Sequence, residues 1–323
     1  MRKSLLSPSL FLAIMLQTNL VCAQFDIPGQ PSTDPTSTDN STETNTGPGT
    51  SIYAAGYNDW ASTYPVCGGS YQSPIDIVSA KDVCDSSMVF NLMLSENVTF
   101  TLNITSTVLR GIGALGQLYA SDLNGNLFGY YATHWNLHAP SEHKIEGEGF
   151  DAELQIYFDL LSSFTPIENR TKAVVSILLS TFSNSTSNGS SVLAPFGLGA
   201  NSTNTTLNFS RVIQEAIPLT DAGTVLYYTY QGSLTTPPCS EIVNWYVIAE
   251  ALPISWTDLD YLNSLWASNT TFADGLGNNR TTQNLNGRSI KQGGSACEQQ
   301  LGYFIGFFFL FLIINYFLVK VLQ

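Results

Sequence analysis

The sequence predicts a mostly β domain built around one large sheet, with long surface loops and few helices. Residues 98–105 carry apolar side chains at even positions and polar side chains at odd positions, the pattern of a half-buried strand. Similar short β-rich runs recur at 172–182, 223–230 and 242–252. Helical patterns are few and no internal repeat stands out, so these runs favour a single domain with a large sheet.

Composition indicates a protein of the secretory pathway. The chain has 323 residues, a formal net charge of −13 and only 11% charged residues, while hydroxyl and amide side chains are abundant. That balance is typical of a secreted or cell-surface protein. Because so acidic a surface repels a polyanion, we expect no nucleic-acid partner.

The N-terminal segments are predicted to precede the folded domain. Residues 1–23 have a basic start, an apolar stretch and a small-residue cleavage site, the features of a signal peptide. Residues 24–51 consist largely of Pro, Thr, Ser, Asn and Gly. Because that composition cannot bury enough apolar surface to offset its ordering entropy, it predicts a disordered stalk. The folded domain is therefore expected over residues 52–292.

The C-terminal residues 293–323 predict attachment to a membrane. Residues 301–319 carry no charge and are rich in Phe, Leu and Ile, enough to nearly span a bilayer core of about 30 Å as a helix. They form either a transmembrane helix or the cleaved signal for a glycolipid (GPI) anchor, preceded by small residues at 293–296. Either alternative places the domain at the cell surface or in a secretory-pathway membrane, on the extracellular or lumenal side.

Glycosylation sequons and cysteines agree with that compartment. Asparagines in N-x-S/T sequons are expected to face solvent and to accept glycan. They are Asn97, Asn103, Asn169, Asn184, Asn188, Asn201, Asn204, Asn208, Asn269 and Asn279. Of the five cysteines, Cys22 leaves with the signal peptide, and the remaining even number is compatible with disulfides whose pairing the spacing does not decide.

Four motifs occur in order along the domain. Residues 64–69 read YPVCGG, 72–77 read QSPIDI, 139–143 read APSEH, and 230–239 read YQGSLTTPPC, with Trp245 beyond. Together they resemble the α-type carbonic anhydrases over nearly the whole domain. The resemblance implies a large, central, twisted and mostly antiparallel sheet with a conical cleft and few short helices.

The resemblance also implies a disulfide between Cys67 and Cys239, as in secreted members of the family. It assigns no partner to Cys84 or Cys297, for which an additional bridge and an intermolecular bond are both open.

The family's chemistry requires a zinc ion held by three imidazoles, with a bound water whose pKa falls to about 7. The resemblance places the ligands at Asn136, His138 and Gln155, so His138 is the one ligand retained. His143 matches a histidine that supports the fold rather than the metal. We therefore expect no metal and no cofactor, with the two buried amides supplying hydrogen bonds to each other and His138 bonded to one of them or to water.

Other residues of the cleft are retained. Glu142 and Thr235 match the pair that orients the zinc-bound hydroxide in active members, Glu142 accepting a hydrogen bond from the Thr235 hydroxyl. Tyr157 stands where a smaller apolar residue is common. The remaining predicted cleft residues are His134, Glu153, Val174, Leu234, Thr236 and Trp245.

These observations predict a catalytically inactive, carbonic anhydrase-related protein of the cell surface with a binding, adhesion or assembly role. Its partner would be an extracellular protein or glycan that the sequence does not identify. One alternative is an active zinc-dependent carbonic anhydrase, hydrating carbon dioxide with a non-standard ligand set of His134, His138, Glu153 and an amide oxygen. Another is a structural subunit of a surface assembly, which would form oligomers.

Overall fold

The computed structural model describes residues 60–78, 83–95, 98–104, 108–181, 204–207, 225–267 and 277–294. The predicted signal peptide, the stalk and nearly all of the predicted attachment segment 293–323 lie outside these residues. No helix within the described ranges is long and apolar enough to cross a membrane. The predicted domain bounds and the membrane attachment stay predictions.

Strands dominate the described residues. They are β1 (Asp76–Ile77), β2 (Val83–Asp85), β3 (Phe90–Leu94), β4 (Val98–Ile104), β5 (Leu109–Ser121), β6 (Leu127–His138), β7 (Lys144–Ile145), β8 (Ala152–Leu160), β9 (Lys172–Ser180), β10 (Asn204–Leu207), β11 (Tyr227–Gly232), β12 (Val243–Ile248), β13 (Leu252–Pro253) and β14 (Lys291–Gly293). The described helices are α1 (Trp60–Thr63) and α2 (Trp256–Ala267), with a 3-10 turn at Pro65–Gly68.

A 12-stranded sheet forms the centre of the domain. Its order is β10-β4-β5-β6-β8-β9-β12-β11-β14-β2, with β3 added beside β5 and β13 beside β9. Pairing is mostly antiparallel, and the parallel pairs are β9 with β12, β9 with β13, and β14 with β2. The mostly β prediction with a large, mostly antiparallel sheet and few short helices is confirmed. The strands predicted from 98–105, 172–182, 223–230 and 242–252 appear as β4, β9, β11 and β12.

Alternation along β6, β8 and β9 separates two faces of the sheet. One face carries residues of the main hydrophobic core, including Trp135, Ile156 and Ile177. The opposite face, called the site face below, carries Asn136 and Gln155. Because the side-chain period of a strand is two, a slip of one residue would exchange the two faces, so burial of the core holds the site residues in register.

Helix α2 begins with a local signal that the sequence analysis missed. The backbone amide of Asp258 donates to Ser255 Oγ at 3.0 Å, and Ser255 Oγ donates back to Asp258 Oδ2 at 2.9 Å. This reciprocal pair is a capping arrangement that satisfies a free amide of the first turn. The pattern Ser-x-x-Asp before an apolar run could have predicted the helix start.

A disulfide joins Cys67 to Cys239 across 172 residues of sequence, which is the pairing that the resemblance implies. It ties the 3-10 turn to the loop that follows Thr235. Cys84 is also disulfide-bonded.

The described sequons differ in exposure. Asn103 on β4 and Asn169 in a turn are exposed, as expected of glycan acceptors. Asn279 is only half-buried rather than exposed, because its neighbours Asn278 and Arg280 are buried and hydrogen-bonded to the site face. Asn204 lies in β10. The other predicted sequons are Asn97, Asn184, Asn188, Asn201, Asn208 and Asn269, outside the described residues.

Candidate functional site

The two amides at the predicted ligand positions lie side by side on neighbouring strands. Asn136 of β6 is the register partner of Gln155 of β8, and His138 is the partner of Glu153. A register shift between Ala132 and His134 places His134 opposite Tyr157. Paired residues of antiparallel strands share a face, so the site face brings these six side chains together.

Asn136 does not bond to Gln155, contrary to expectation. Its Oδ1 accepts a hydrogen bond of 2.9 Å from Nε of Arg110, a residue of β5 that is the register partner of Asn136. The asparagine is 3% exposed, and the arginine is half-buried. The reason for the difference is that a guanidinium across the strand is a stronger donor to an amide oxygen than a second amide. A cation thus lies against the first ligand position.

Gln155 uses both ends of its amide in other bonds. Its Oε1 accepts from the Tyr157 hydroxyl at 2.6 Å. Its Nε2 donates to Glu142 Oε2 at 2.7 Å and to Glu153 Oε1 at 2.9 Å. The side chain is fully buried, so this network rather than solvent satisfies the amide.

His138 was expected to bond to one of the two amides or to water, but it bonds to neither amide. Its Nδ1 lies 2.8 Å from the backbone carbonyl of Asn278. A carbonyl only accepts, so Nδ1 carries a proton. Nε2 is buried and has no hydrogen-bond partner among the described residues. His138 is therefore held through Nδ1 alone.

Both carboxylate oxygens of Glu153 accept more than one hydrogen bond. Oε2 accepts from the backbone amides of Glu142 and His143, each at 2.8 Å. Oε1 accepts from His143 Nδ1 at 2.8 Å, from Gln155 Nε2, and from Ser176 Oγ at 2.8 Å. Burial alone would raise the pKa of this carboxyl, but the charge of His143 and the hydrogen bonds from His143 and Gln155 outweigh it and lower the pKa to about 2.

This environment predicts a specific acid sensitivity. The folded-state pKa of Glu153 lies below the ordinary value of 4.5, so its ionised form stabilises the protein above about pH 4.5, and that contribution is lost as the pH falls toward 2. We expect Glu153→Gln to be less stable than the native protein at pH 7 and to lose less stability between pH 4.5 and pH 2. Thermal unfolding followed across that range measures the difference. Glu148→Gln, at an exposed carboxyl, should keep the native pH profile, and equal acid losses in the native protein and Glu153→Gln would contradict the assignment.

The retained pair of Glu142 and Thr235 is not joined by a hydrogen bond. Glu142 Oε2 accepts from Gln155, and its Oε1 accepts from the backbone amide of Arg280 at 2.9 Å. Thr235 Oγ1 is buried without a hydrogen bond of standard geometry to any described residue. Glu142 Oε2 thus accepts from the amide at position 155 and not from the threonine.

His134 and His143 take different environments. The His134 ring stacks on Tyr157 with ring centroids 4.5 Å apart and an interplanar angle of 10°, and its Nδ1 lies 2.9 Å from the Thr133 hydroxyl. Burial lowers the pKa of His134 well below its ordinary value, so it is neutral. His143 is fully buried, with Nε2 2.7 Å from the Tyr230 hydroxyl and Nδ1 on Glu153. The hydrogen bonds to Tyr230 and Glu153 fix the His143 ring in the core of the domain.

The remaining predicted cleft residues surround Tyr157 and Thr235. Val174 of β9 is the register partner of Tyr157 and of Trp245 in β12, and all three belong to one buried apolar cluster. Trp245 Nε1 donates to the carbonyl of Ser233 at 3.0 Å, which holds the Thr235 loop against the sheet. Leu234 packs against the same cluster, and Thr236 is half-buried.

Three residues of the site were missed by the sequence analysis. Arg110 reaches Asn136 only through the register of β5 with β6. Asn278 accepts from His138 and donates through Nδ2 to the carbonyl of Leu137 at 3.0 Å, and Arg280 donates to Glu142. Strand period indicates which face a residue occupies, but it does not indicate which strand or loop lies beside it.

The side chains at the predicted ligand positions do not form a zinc site. Tetrahedral zinc requires three protein ligands with available lone pairs, usually from imidazole, thiolate or carboxylate groups. The Asn136 oxygen already accepts from the Arg110 cation, and the Gln155 oxygen accepts from Tyr157. The Glu153 oxygens are fully used, and the His134 ring is stacked. Among the described residues no three His, Cys, Asp or Glu side chains are placed to hold one metal ion, so His134, His138 and Glu153 of the alternative set do not converge on a common point.

Comparison with known proteins identifies relatives of the domain. Residues 55–293 match the family model described as eukaryotic-type carbonic anhydrase. Carbonic anhydrase 12 from Homo sapiens is 30% identical over 235 residues, which are 63% of this chain and 60% of that protein. Carbonic anhydrase 6 from Bos taurus is 30% identical over 250 residues, 72% of this chain and 76% of that protein.

Solved structures share the fold at lower identity. The α-carbonic anhydrase from Thermovibrio ammonificans, in complex with the inhibitor sulfanilamide, is 24% identical with a TM-score of 0.52, covering 73% of this chain and 93% of that one. Dioscorin in complex with ascorbate is 21% identical with a TM-score of 0.54, covering 72% and 92%.

Proposed function

The chain belongs to the eukaryotic-type carbonic anhydrase family, and from that premise we propose that it is a catalytically inactive member with a binding role at the cell surface. The observation that carries the proposal is the state of the ligand positions. The oxygens of Asn136 and Gln155 accept hydrogen bonds from Arg110 and Tyr157, and an amide oxygen so engaged is a poor replacement for the imidazole nitrogen that zinc prefers.

The machinery around the ligand positions supports the same conclusion. In active members the threonine of the Glu142–Thr235 pair aligns the nucleophile, and that alignment requires the hydrogen bond between them. Here Glu142 is held by Gln155 and Arg280 instead. In the proposed inactive state the site lacks both the oriented threonine and a metal to lower the pKa of a water, and so forms no hydroxide nucleophile at neutral pH.

A binding role is supported by the rigidity of the domain. The large sheet and the Cys67–Cys239 bridge hold an extended surface in one conformation. A neighbour of the same fold, dioscorin, was solved with ascorbate, which supports binding as a function of this fold apart from catalysis. The partner proposed is an extracellular protein or glycan, reached by a domain attached to the membrane through residues 293–323.

Metal content and hydration rate test the proposal directly. We expect the purified full-length protein to contain sub-stoichiometric zinc by mass spectrometry after incubation with zinc and dialysis, and to hydrate carbon dioxide at the uncatalysed rate. Stoichiometric zinc together with hydration that a sulfonamide blocks would overturn the proposal. Bovine carbonic anhydrase 6, treated in parallel, provides the positive control for metal loading and for the assay.

A further inference from the structure

Tyr157 is a further departure from the pattern that the resemblance implies, in which a smaller apolar residue is common at this position. It lies on β8 between His134 of β6 and Val174 of β9. Its side chain is almost entirely enclosed, with 6% of the residue exposed. A tyrosine in place of a smaller side chain puts a buried phenol ring into the cleft.

The phenol oxygen lies where the family places its chemistry. It donates to Oε1 of Gln155, the third ligand position, at 2.6 Å. The Thr235 hydroxyl, which in active members contacts the metal-bound oxygen, lies near enough to the phenol to lower its pKa, although burial has the larger and opposite effect and raises it. The hydroxyl of Tyr157 therefore contacts the residue at the third predicted ligand position.

The ring is held on more than one side. It stacks on His134 at 4.5 Å and packs in the apolar cluster that contains Val174 and Trp245. The hydroxyl donates to the buried amide of Gln155, which fixes the end of the ring as well as its face. Displacing the ring would break this bond and expose the amide, which makes the filled cleft the stable arrangement.

We infer that Tyr157 is the internal occupant of the former catalytic pocket, so that the pocket is closed to small molecules from within. The inference rests on the proposed loss of catalysis and deepens it. With the pocket filled by the protein's own side chain, recognition of the proposed partner takes place on the outer surface of the domain rather than in the cleft.

Phenol binding to a variant without the ring tests this inference. In Tyr157→Ala the loss of the side chain should leave a cavity of matching shape, since a rigid core relaxes only partly around a deleted ring. We expect full-length Tyr157→Ala to bind phenol at least about tenfold more tightly than the native protein does, as engineered cavities bind the group they lack. Titration by calorimetry measures the affinity. Tyr131→Ala removes a tyrosine that is 40% exposed and should not gain phenol binding.

Two results would overturn the inference. One is that the native protein binds phenol as tightly as Tyr157→Ala, which would mean that the pocket is already open. The other is that a folded variant gains no phenol affinity. Tyr157→Val keeps a β-branched residue suited to a strand and supplies a second cavity variant if Tyr157→Ala does not fold. Zinc content and hydration of the native protein are measured separately, so failure here leaves the proposed function standing, whereas stoichiometric zinc and hydration would reject that function itself.

Discussion

Zinc binding is expected to appear when Asn136→His, Gln155→His and Tyr157→Val are combined in one protein. The first two changes add imidazoles beside His138, one at position i−2 on β6 and one at the register partner of Asn136 on β8, so all three face the same point. The third removes the phenol that donates to residue 155. We expect zinc affinity, measured by competition with a chelator, to rise on the order of a thousandfold or more, since two of three ligands are supplied.

Related variants show whether the missing imidazoles or the Tyr157 ring limits zinc binding. Asn136→His with Gln155→His alone should bind zinc more weakly than the triple variant, because Tyr157 still crowds the site. Adding His138→Gln to the triple variant removes the retained ligand and should abolish the gain. A folded triple variant that competes for zinc no better than the native protein would mean that these residues are not the positions from which the site was lost.

Loss of the Cys67–Cys239 bridge is expected to destabilise the domain by about 2–5 kcal/mol, because the bridge closes a long loop in the unfolded chain. The bridge spans 172 residues of sequence. Both cysteine backbones are also held by hydrogen bonds that the substitution leaves in place: Gln72 Nε2 donates to the carbonyl of Cys239, and Arg280 Nη2 to the carbonyl of Cys67. The double variant Cys67→Ser with Cys239→Ser, compared with the native protein by denaturant unfolding, measures the loss.

Cys84→Ser provides the comparison for that experiment. Cys84 lies on β2 at the edge of the sheet and is also disulfide-bonded, so its removal shows what the loss of a more peripheral bridge costs. Unfolding free energies that agree within about 0.5 kcal/mol for the native protein and the double variant would contradict the stabilising role of Cys67–Cys239.

The sheet was predictable because its signals are local. Alternation in 98–105 identifies a half-buried strand from one short window, and β4 occupies Val98–Ile104. The motifs that carry the family resemblance led to the architecture and to the Cys67–Cys239 pairing, which no count of cysteines could have selected. Helix α2 was missed although its capping pattern at Ser255 and Asp258 is equally local.

The sequence predicted which residues belong to the site but not which hydrogen bonds they form. The residue types at 136, 138 and 155 follow from matching the motifs, and their neighbours in the network do not. We expected Asn136 and Gln155 to bond to each other, and instead Arg110 and Tyr157 take the two amide oxygens. Likewise, His138 was expected to bond to an amide or to water, and it bonds to the carbonyl of Asn278.

Residue identity along the chain therefore decides that amides stand at two of the three predicted ligand positions, because ligand chemistry belongs to the side chain itself. What fills the vacated positions depends on the tertiary structure. Arg110 is 26 residues from Asn136 and Asn278 is 140 residues from His138. Such partners meet through strand register and loop packing, and the hydrogen bonds they form are chosen among competing donors at distances that strand periodicity does not encode.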